Sequence, residues 1–362
     1  MAVFELATGA SATVGATPVS QVSGVTANDF SSPVTYTVTA QDGTTTQDWI
    51  VTVGEETVRY VATAANGGDD SNVGSEGSPW LTIEYALQTT PDLGTVIVKD
   101  DGPYNETIHF PSISDPDGDR VIILKNAPGA APVINGDSGL TVAMYGCPEG
   151  TSMEGFTITH APGVSGKGMY IMQGSRVSIN NCTITNNNSG PGGIWVSLGT
   201  NTVTLNDCTI SNNISSTCGG GGIYNGGQNN SLTLNNCIIS GNQANGNGGG
   251  IENAGTIIIN GGTISGNSAS TSGGGIYNSW VLEIYGSTIS GNEAGNAYSA
   301  GICLVGGTNT IGGSGDDKNN ICGNFVTGSG PTPTLDDQIG DGASSSLYGT
   351  YSGTNNIEVT CD

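Results

Sequence analysis

The chain has 362 residues, 60 of them glycine, with 7 Lys+Arg against 31 Asp+Glu and a formal net charge of -24. So few cations cannot neutralise a phosphate backbone or hold an anionic membrane surface, which excludes nucleic acid as a partner. No stretch approaches the roughly 18 to 20 consecutive apolar residues of a membrane span, yet apolar residues recur in short regular groups, which argues for a folded chain.

The chain opens Met1-Ala2-Val3-Phe4-Glu5, with no basic n-region of a secretion signal. Eight cysteines without a C-x-x-C pair, in a sequence dominated by Thr, Ser, Asn and Gly, nevertheless point to an exported protein, extracellular or at the cell surface.

Residues 1–54 read as β-sandwich material. Val34-Thr35-Tyr36-Thr37-Val38-Thr39 alternates, Asp42-Gly43 is a turn dipeptide, and Trp49, Val51 and Val53 place the apolar side of a second strand at period two. The stretch from Ser23 to Val53 resembles the second half of an immunoglobulin- or cadherin-like module of bacterial surface proteins. A complete sandwich needs about seven strands, so this segment is a partial one. Its open edges call for cover, by the following domain or by self-association with a strand of another molecule.

In residues 59–110 the run Pro79 to Gln88 puts Trp80, Ile83, Ala86 and Leu87 on one side of a short amphipathic helix. With R-Y-V-A-T-A-A-N-G-G-D-D ahead of it, this segment resembles the opening of right-handed parallel β-helix proteins of the pectate-lyase superfold. There, such a helix plugs the N-terminal end of the solenoid. Further on, Asp115, Asp117 and Asp119 in S-D-P-D-G-D-R alternate as in a Ca²⁺ loop, although the distal bidentate Glu is missing; a plain surface turn is the competing reading.

From about residue 150 the chain repeats. The segments C-T-I-T-N-N (182–187), C-T-I-S-N-N (208–213), C-I-I-S-G-N (237–242), G-T-I-S-G-N (262–267) and S-T-I-S-G-N (287–292) interleave with G-I-W (193–195), G-I-Y-N (222–225), G-I-E-N (250–253), G-I-Y-N (275–278) and G-I-C (301–303). Their period of 25 to 29 residues, with an L-T-L-N or I-I-I-N strand between, predicts three short strands per coil and about ten coils of parallel β-helix. The predicted fold is all-β: a right-handed single-stranded parallel β-helix over 55–335 with a capping helix near 79–88, a partial sandwich over 1–54, and a C-terminal cap over 336–362.

In such a solenoid each residue stacks on its counterpart one coil away, about 4.8 Å distant, so columns are the unit of reading. Ile184/Ile210/Ile239/Ile264/Ile289 and Met169/Ile194/Ile223/Ile251/Ile276/Ile302 form inward columns. Cys182/Cys208/Cys237 reads as packing, Cys322 with Cys361 is the candidate disulfide, and Asn187/Asn213/Asn242/Asn267/Asn292 predicts an asparagine ladder. His109 and His160 have no partner pattern and read as strand-end residues.

Outward, the column Tyr170, Trp195, Tyr224, Glu252, Tyr277, Cys303 predicts an aromatic stripe with one carboxylate in its midst. Its flat faces would stack sugar rings; the competing reading is cross-strand stacking that only stabilises the sheet. Rows of Thr157/Thr183/Thr209/Ile238/Thr263/Thr288 and Thr159/Thr185/Ser211/Ser240/Ser265/Ser290 resemble the flat faces of ice-binding solenoids. Catalytic groups are scarce: Val177 to Asp317 holds no Lys, Arg or His, and only Glu252 stands as a candidate acid with a neighbouring Tyr.

The G-G-G-I-Y-N and T-I-S-G-N repeats resemble those of surface-displayed bacterial β-helices, including polymorphic outer-membrane-protein passengers. The resemblance implies a non-catalytic structural or adhesive surface protein. From the outward column the candidate ligand residues are Tyr170, Trp195, Tyr224, Glu252 and Tyr277 and the partner an extracellular glycan or surface molecule; no cofactor is expected unless Asp115, Asp117 and Asp119 hold Ca²⁺. The alternative is a polysaccharide lyase or glycoside hydrolase of the same superfold, and ice binding is third.

Overall fold

The computed structural model describes residues 5–311 except 16–17, 30–33, 52–56, 113–119, 138, 161–162, 218, 296–299 and 307–308; beyond 311 it describes the backbone at 319–322, 325–326, 339–340 and 357–358. Two compact units divide at Glu56/Thr57. Asp115, Asp117, Asp119, Val53, Cys361 and the Cys322 side chain lie outside the described residues.

The first unit is a four-stranded antiparallel sheet. Strand Val34–Thr39 pairs with Thr46–Val51 across the Asp42-Gly43 turn, where Asp42 accepts hydrogen bonds from the Thr44 and Thr45 amides. Its covered face holds Ala12, Val34 and Tyr36. Trp49, expected on the apolar side, is instead 63% exposed, and Ile50 is 72% exposed. The physical reason is position: Thr46–Val51 is the edge strand, so its side chains have a neighbour on one flank only.

The second unit is a parallel β-solenoid of about eight turns, fewer than the ten expected. Sheet I runs in ten strands from Val58–Val61 to Asn309–Ile311, sheet II in nine from Val133–Gly136 to Ile357–Glu358, and sheet III in nine from Ile108–His109 to Ile339–Gly340. A fourth, short ribbon joins sheets II and III in the later turns, from Ile214–Ser215 to Phe325–Val326, where the period predicts none. It forms because each turn there places a small residue inward, Ala244, Ala269 and Ala294, all buried.

The only helix of that length among the described residues, α1 (Ile83–Thr89), begins four residues later than the sequence predicts. Leu81 and Thr82 are held in extended form by Asp70, which accepts both their amides, and the Glu106 carboxylate accepts the amides of Ile83 and Glu84 at 3.0 and 2.8 Å. A carboxylate on free helix N–H groups fixes where the helix starts. Ile83, Ala86 and Leu87 are fully buried in the same core as the inward columns.

Those columns are in register. Ile184, Ile210, Ile239, Ile264 and Ile289 stack through sheet II, and Met169, Ile194, Ile223, Ile251, Ile276 and Ile302 through sheet III, each at most 2% exposed. The column cysteines Cys182, Cys208 and Cys237 are free thiols that donate to backbone carbonyls, Cys208 to Ile179 O at 3.4 Å and Cys237 to Leu205 O at 3.5 Å. Ser287 Oγ likewise donates to a backbone carbonyl of the preceding turn, Gly261 O at 2.9 Å, so Cys208, Cys237 and Ser287 are all small inward donors.

At the corner after sheet II the asparagine ladder closes head to tail. The Nδ2 of Asn187, Asn213, Asn242 and Asn267 donates to the Oδ1 of the next rung at 2.9 to 3.0 Å, and each rung's backbone N–H donates to the same oxygen. All five rungs are fully buried. His160 is not a plain strand-end residue: its Nδ1 lies 2.8 Å from Asn187 Oδ1, which caps the first rung. The residue before each rung adopts positive φ, as Asn186 and Asn212 in the early turns and as Gly241, Gly266 and Gly291 later, which is why T-N-N becomes S-G-N.

A second buried ladder, unforeseen, runs at the corner after sheet III through Asn201, Asn230, Asn225, Asn253, Asn278 and Asn309 at 2.6 to 3.0 Å. The repeated glycine triplet answers to the first ladder. A Cβ on Gly222 would lie 2.7 Å from Gly250 O and 3.0 Å from Asn242 Nδ2, and Gly250 and Gly275 meet the same obstacle one and two turns on.

Replacing Asn242 by Ala takes a partner from both Asn213 donors and from the Ile210 carbonyl in the core. Asn213 Nδ2 keeps its bond to Ile184 O, so two groups are left unsatisfied, and at about 1 to 3 kcal/mol each the expected loss is roughly 2 to 6 kcal/mol. Urea unfolding checks it, and a loss below about 1 kcal/mol removes the ladder from the stability argument.

Candidate functional site

Sheet III turns one side chain of each strand outward, and the predicted stripe is there in register: Tyr170 opposite Trp195, Trp195 opposite Tyr224, Tyr224 opposite Glu252, Glu252 opposite Tyr277, Tyr277 opposite Cys303. Alternation along each strand sets the direction, since Met169, Ile194, Ile223, Ile251 and Ile276 are the inward neighbours. One member departs from expectation. Cys303 is fully buried, because Ile302–Leu304 is covered on both faces at that turn.

Ring geometry decides what the stripe offers. The Tyr170 and Trp195 rings stack with centroids 4.4 Å apart and planes at 23°, and Trp195 meets Tyr224 at 6.5 Å and 51°. The spacing of parallel strands, about 4.8 Å, is close to ring-stacking distance. Rings in successive turns therefore cover one another's faces. Flat platforms for sugars, expected from the column, are not what Tyr170 and Trp195 present; they present edges and polar tips. Tyr145, which sequence reasoning missed because Ala143 holds the strict column position, closes the upper end edge-on to Tyr170 at 5.7 Å and 83°. Lys167 Nζ sits 5.4 Å from the Trp195 ring centre, a cation–π contact.

The ladder leans toward the corner after sheet III. Tyr170 Oη donates to Ser197 Oγ at 3.3 Å, and the Tyr224 ring lies over Gly226. Beside those two residues the corners of three successive turns, 173–174, 198–200 and 227–229, enclose an open groove of about 440 Å³. Its walls carry Gln173, Thr200, Gln228 and Asn229 with the 75% exposed Leu198, and no charged side chain. Nothing in the repeat period foretells it, since it arises from corners that run longer in these turns than at Ala254-Gly255.

Glu252 lies one turn beyond the last ring of the continuous ladder. Its side chain turns to the opposite side from Tyr224, with Oε2 packed against Gly219, where a Cβ would lie on top of it. Burial alone pushes its carboxyl up to about 7, and Tyr277 is raised by burial, by Cys303 and by Glu252. Among the described residues Glu252 has no hydrogen-bond or ion-pair partner, and no cluster of three or more His, Cys, Asp or Glu side chains exists. The Thr/Ser rows of sheet II are in register too, interrupted by Ile238 at 46% exposure, with Ser211 Oγ donating to Thr185 Oγ1 at 3.3 Å.

Comparison with known proteins agrees with this geometry at the level of fold. Residues 120–281 match the family described as right handed beta helix region, and residues 2–53 match SGBP, N-terminal, a domain of surface glycan-binding proteins. No curated protein matches the chain significantly. A solved structure, that of pectate lyase Pel9A, is similar over 85% of this chain and 80% of that one, with 15% identity and a TM-score of 0.48, too distant to carry any inference about activity.

The raised Glu252 carboxyl predicts a pH signature. Between its ordinary 4.5 and about 7 the unfolded chain loses this proton while the folded chain keeps it, so folding stability falls as pH rises through that window and levels off above it. At about 1.4 kcal/mol per pH unit the full cost is roughly 3 kcal/mol. Glu252→Gln is therefore expected to leave stability unchanged near pH 4.5 and to raise it by roughly 2 to 3 kcal/mol at pH 8, read by urea unfolding at both values. A pH-independent difference removes the unpaired carboxylate from the account.

Proposed function

We propose that the chain is a surface glycan-binding protein, extracellular and non-catalytic, whose solenoid holds carbohydrate along the ladder of Tyr170, Trp195 and Tyr224 and in the groove that the ladder borders. The observation that carries this reading is the contact of Tyr170 with Ser197 and of Tyr224 with Gly226, which brings an aromatic wall against uncharged amides and hydroxyls. Such a pairing of aromatic edge with fixed polar groups suits a ligand of many hydroxyls on an apolar ring. The match of residues 2–53 to a surface glycan-binding domain supports it independently. No helix among the described residues is long and apolar enough to cross a membrane.

Glu252 with its raised carboxyl favours a second reading, a glycan-cleaving enzyme, since a proton held near neutral pH is what a general acid needs. Glycoside hydrolysis by the usual route takes a second carboxylate as partner, whereas the outward neighbours of Glu252 are Tyr224 and Tyr277.

Both readings meet in one experiment: incubation with a panel of neutral and acidic polysaccharides, scoring retention by affinity electrophoresis and soluble products by mass spectrometry. The expected result is retention of a neutral polymer without products, and at least a tenfold loss of affinity, about 1.4 kcal/mol, in the Tyr170→Ala/Tyr224→Ala variant. Released oligosaccharides overturn the non-catalytic reading. Unchanged retention in the folded double variant overturns the ladder as the site.

A further inference from the structure

The groove beside the ring ladder is built in equal steps. Its three corners, 173–174, 198–200 and 227–229, belong to the turns that carry Tyr170, Trp195 and Tyr224. The strands that leave those corners, Arg176–Asn180, Thr202–Asn206 and Ser231–Asn235, pair residue for residue, so neighbouring corners lie one strand spacing apart, about 4.8 Å.

The corners are also fixed from below. Asn201 Oδ1 accepts the amides of Gly174 and Ser175 at 3.0 Å each, and Asn230 Oδ1 accepts the backbone and side-chain N–H of Asn201 at 3.2 and 2.9 Å. Asn230 Nδ2 donates in turn to Ser197 O at 2.7 Å. Asn201 and Asn230 are both buried, so the second asparagine ladder sets the floor of the groove before any ligand arrives and leaves little to be ordered on binding.

Each corner exposes an uncharged polar side chain: Gln173 in the first, Thr200 in the second, Gln228 and Asn229 in the third. Leu198, 75% exposed, stands at the middle corner. The groove also has ends. In the turn after it the corner shrinks to Ala254-Gly255, between Ile251–Asn253 and Thr256–Asn260; in the turn before it stands Glu149, paired with Arg176 at 3.7 Å. Three polar steps around one apolar centre, one step per turn, therefore line up along the solenoid axis between two stops.

We propose that this groove takes a neutral glycan joined through equatorial bonds, of the β-1,4 type, lying along the solenoid axis with one sugar per turn and three sugars between the stops. The inference rests on the glycan-binding reading above and names its substrate class. A pyranose bridged through opposite equatorial positions gives a nearly straight chain that advances by one ring length per sugar, close to the spacing of the turns. An α-1,4 chain leaves each ring through an axial bond and curves, so its successive sugars depart from corners set in line. The central sugar lays its C–H face on Leu198, and the hydroxyls of its neighbours meet Gln173 and Gln228. Uronates are disfavoured, because the walls hold no charged side chain to offset the net charge of -24.

The test is isothermal titration of the full chain with β-1,4-linked gluco-, manno- and xylo-oligosaccharides of two to six units and with α-1,4-linked gluco-oligosaccharides of the same lengths. At least one equatorial series is expected to gain about tenfold in affinity from two to three units and about twofold at most from four to six. It is also expected to bind about tenfold more tightly than the α-1,4 series at equal length. Leu198→Ala, at an exposed position, is expected to weaken the trisaccharide about fivefold with an unchanged far-UV circular dichroism spectrum. Equal affinities for the α-1,4 and equatorial series overturn the proposal, and so does an affinity that keeps climbing to six units. Unchanged binding in the folded Leu198→Ala variant overturns the groove as the seat. If no oligosaccharide binds while polysaccharides of the earlier panel are retained, glycan binding stands and its β-1,4 form is rejected; if no polysaccharide is retained either, both fall.

Discussion

The architecture depends on a constraint at the corners of the solenoid. A parallel strand pair is easily satisfied within the sheet, but each corner turns backbone amides inward where water cannot reach them. The ladder of Asn187, Asn213, Asn242, Asn267 and Asn292 resolves this with one residue type, because a side-chain amide both donates and accepts and so repeats indefinitely along the stack. Other features follow from it. Glycine occupies 222, 250 and 275 because the next turn's carbonyl and the ladder amide leave no room for a Cβ, and His160 stands where the ladder runs out. The second ladder, from Asn201 to Asn309, does the same at the opposite side of sheet III. The site is therefore mounted on a strand flanked at both ends by buried amide chains, which holds the outward column in register.

That register has a consequence for chemistry on the surface. In a solenoid the distance between equivalent side chains is fixed by the hydrogen bonds of the sheet, so a column of identical rings becomes a stack and each ring covers the next. Tyr170 and Trp195 show this directly. What such a stack leaves exposed is the edges of its rings, the corners against which they lean, and positions where the column changes chemistry. The groove at 198–200 and 227–229 and the carboxylate of Glu252 are such places, and both interrupt the repeat.

Much of this was legible from residues alone. The inward isoleucines, the first asparagine ladder and the members of the outward stripe follow from a period of 25 to 29 residues and from strand alternation, which bind neighbours in sequence to neighbours in space. The site was legible only in part. Its column members were foreseen, but the stacking of Tyr170 on Trp195, the inclusion of Tyr145, the burial of Cys303 and the contact of Lys167 with Trp195 were not. Ring planes and side-chain lean are set by rotamers and by the local width of the corner, and neither leaves a mark in the repeat. In the N-terminal unit the hairpin was readable from Asp42-Gly43, whereas the exposure of Trp49 depended on which strand came to lie at the edge.

The sequence by itself determined the repeat, the fold class and which side chains point in or out, because hydrophobic periodicity and strand alternation are local properties that stacking only amplifies. Tertiary structure alone decided what those outward residues can do. Whether a ring shows its face, whether a carboxylate finds a partner, and whether three corners line a groove all depend on distances between turns some 25 to 29 residues apart. Those distances exist only once the amide ladders have closed.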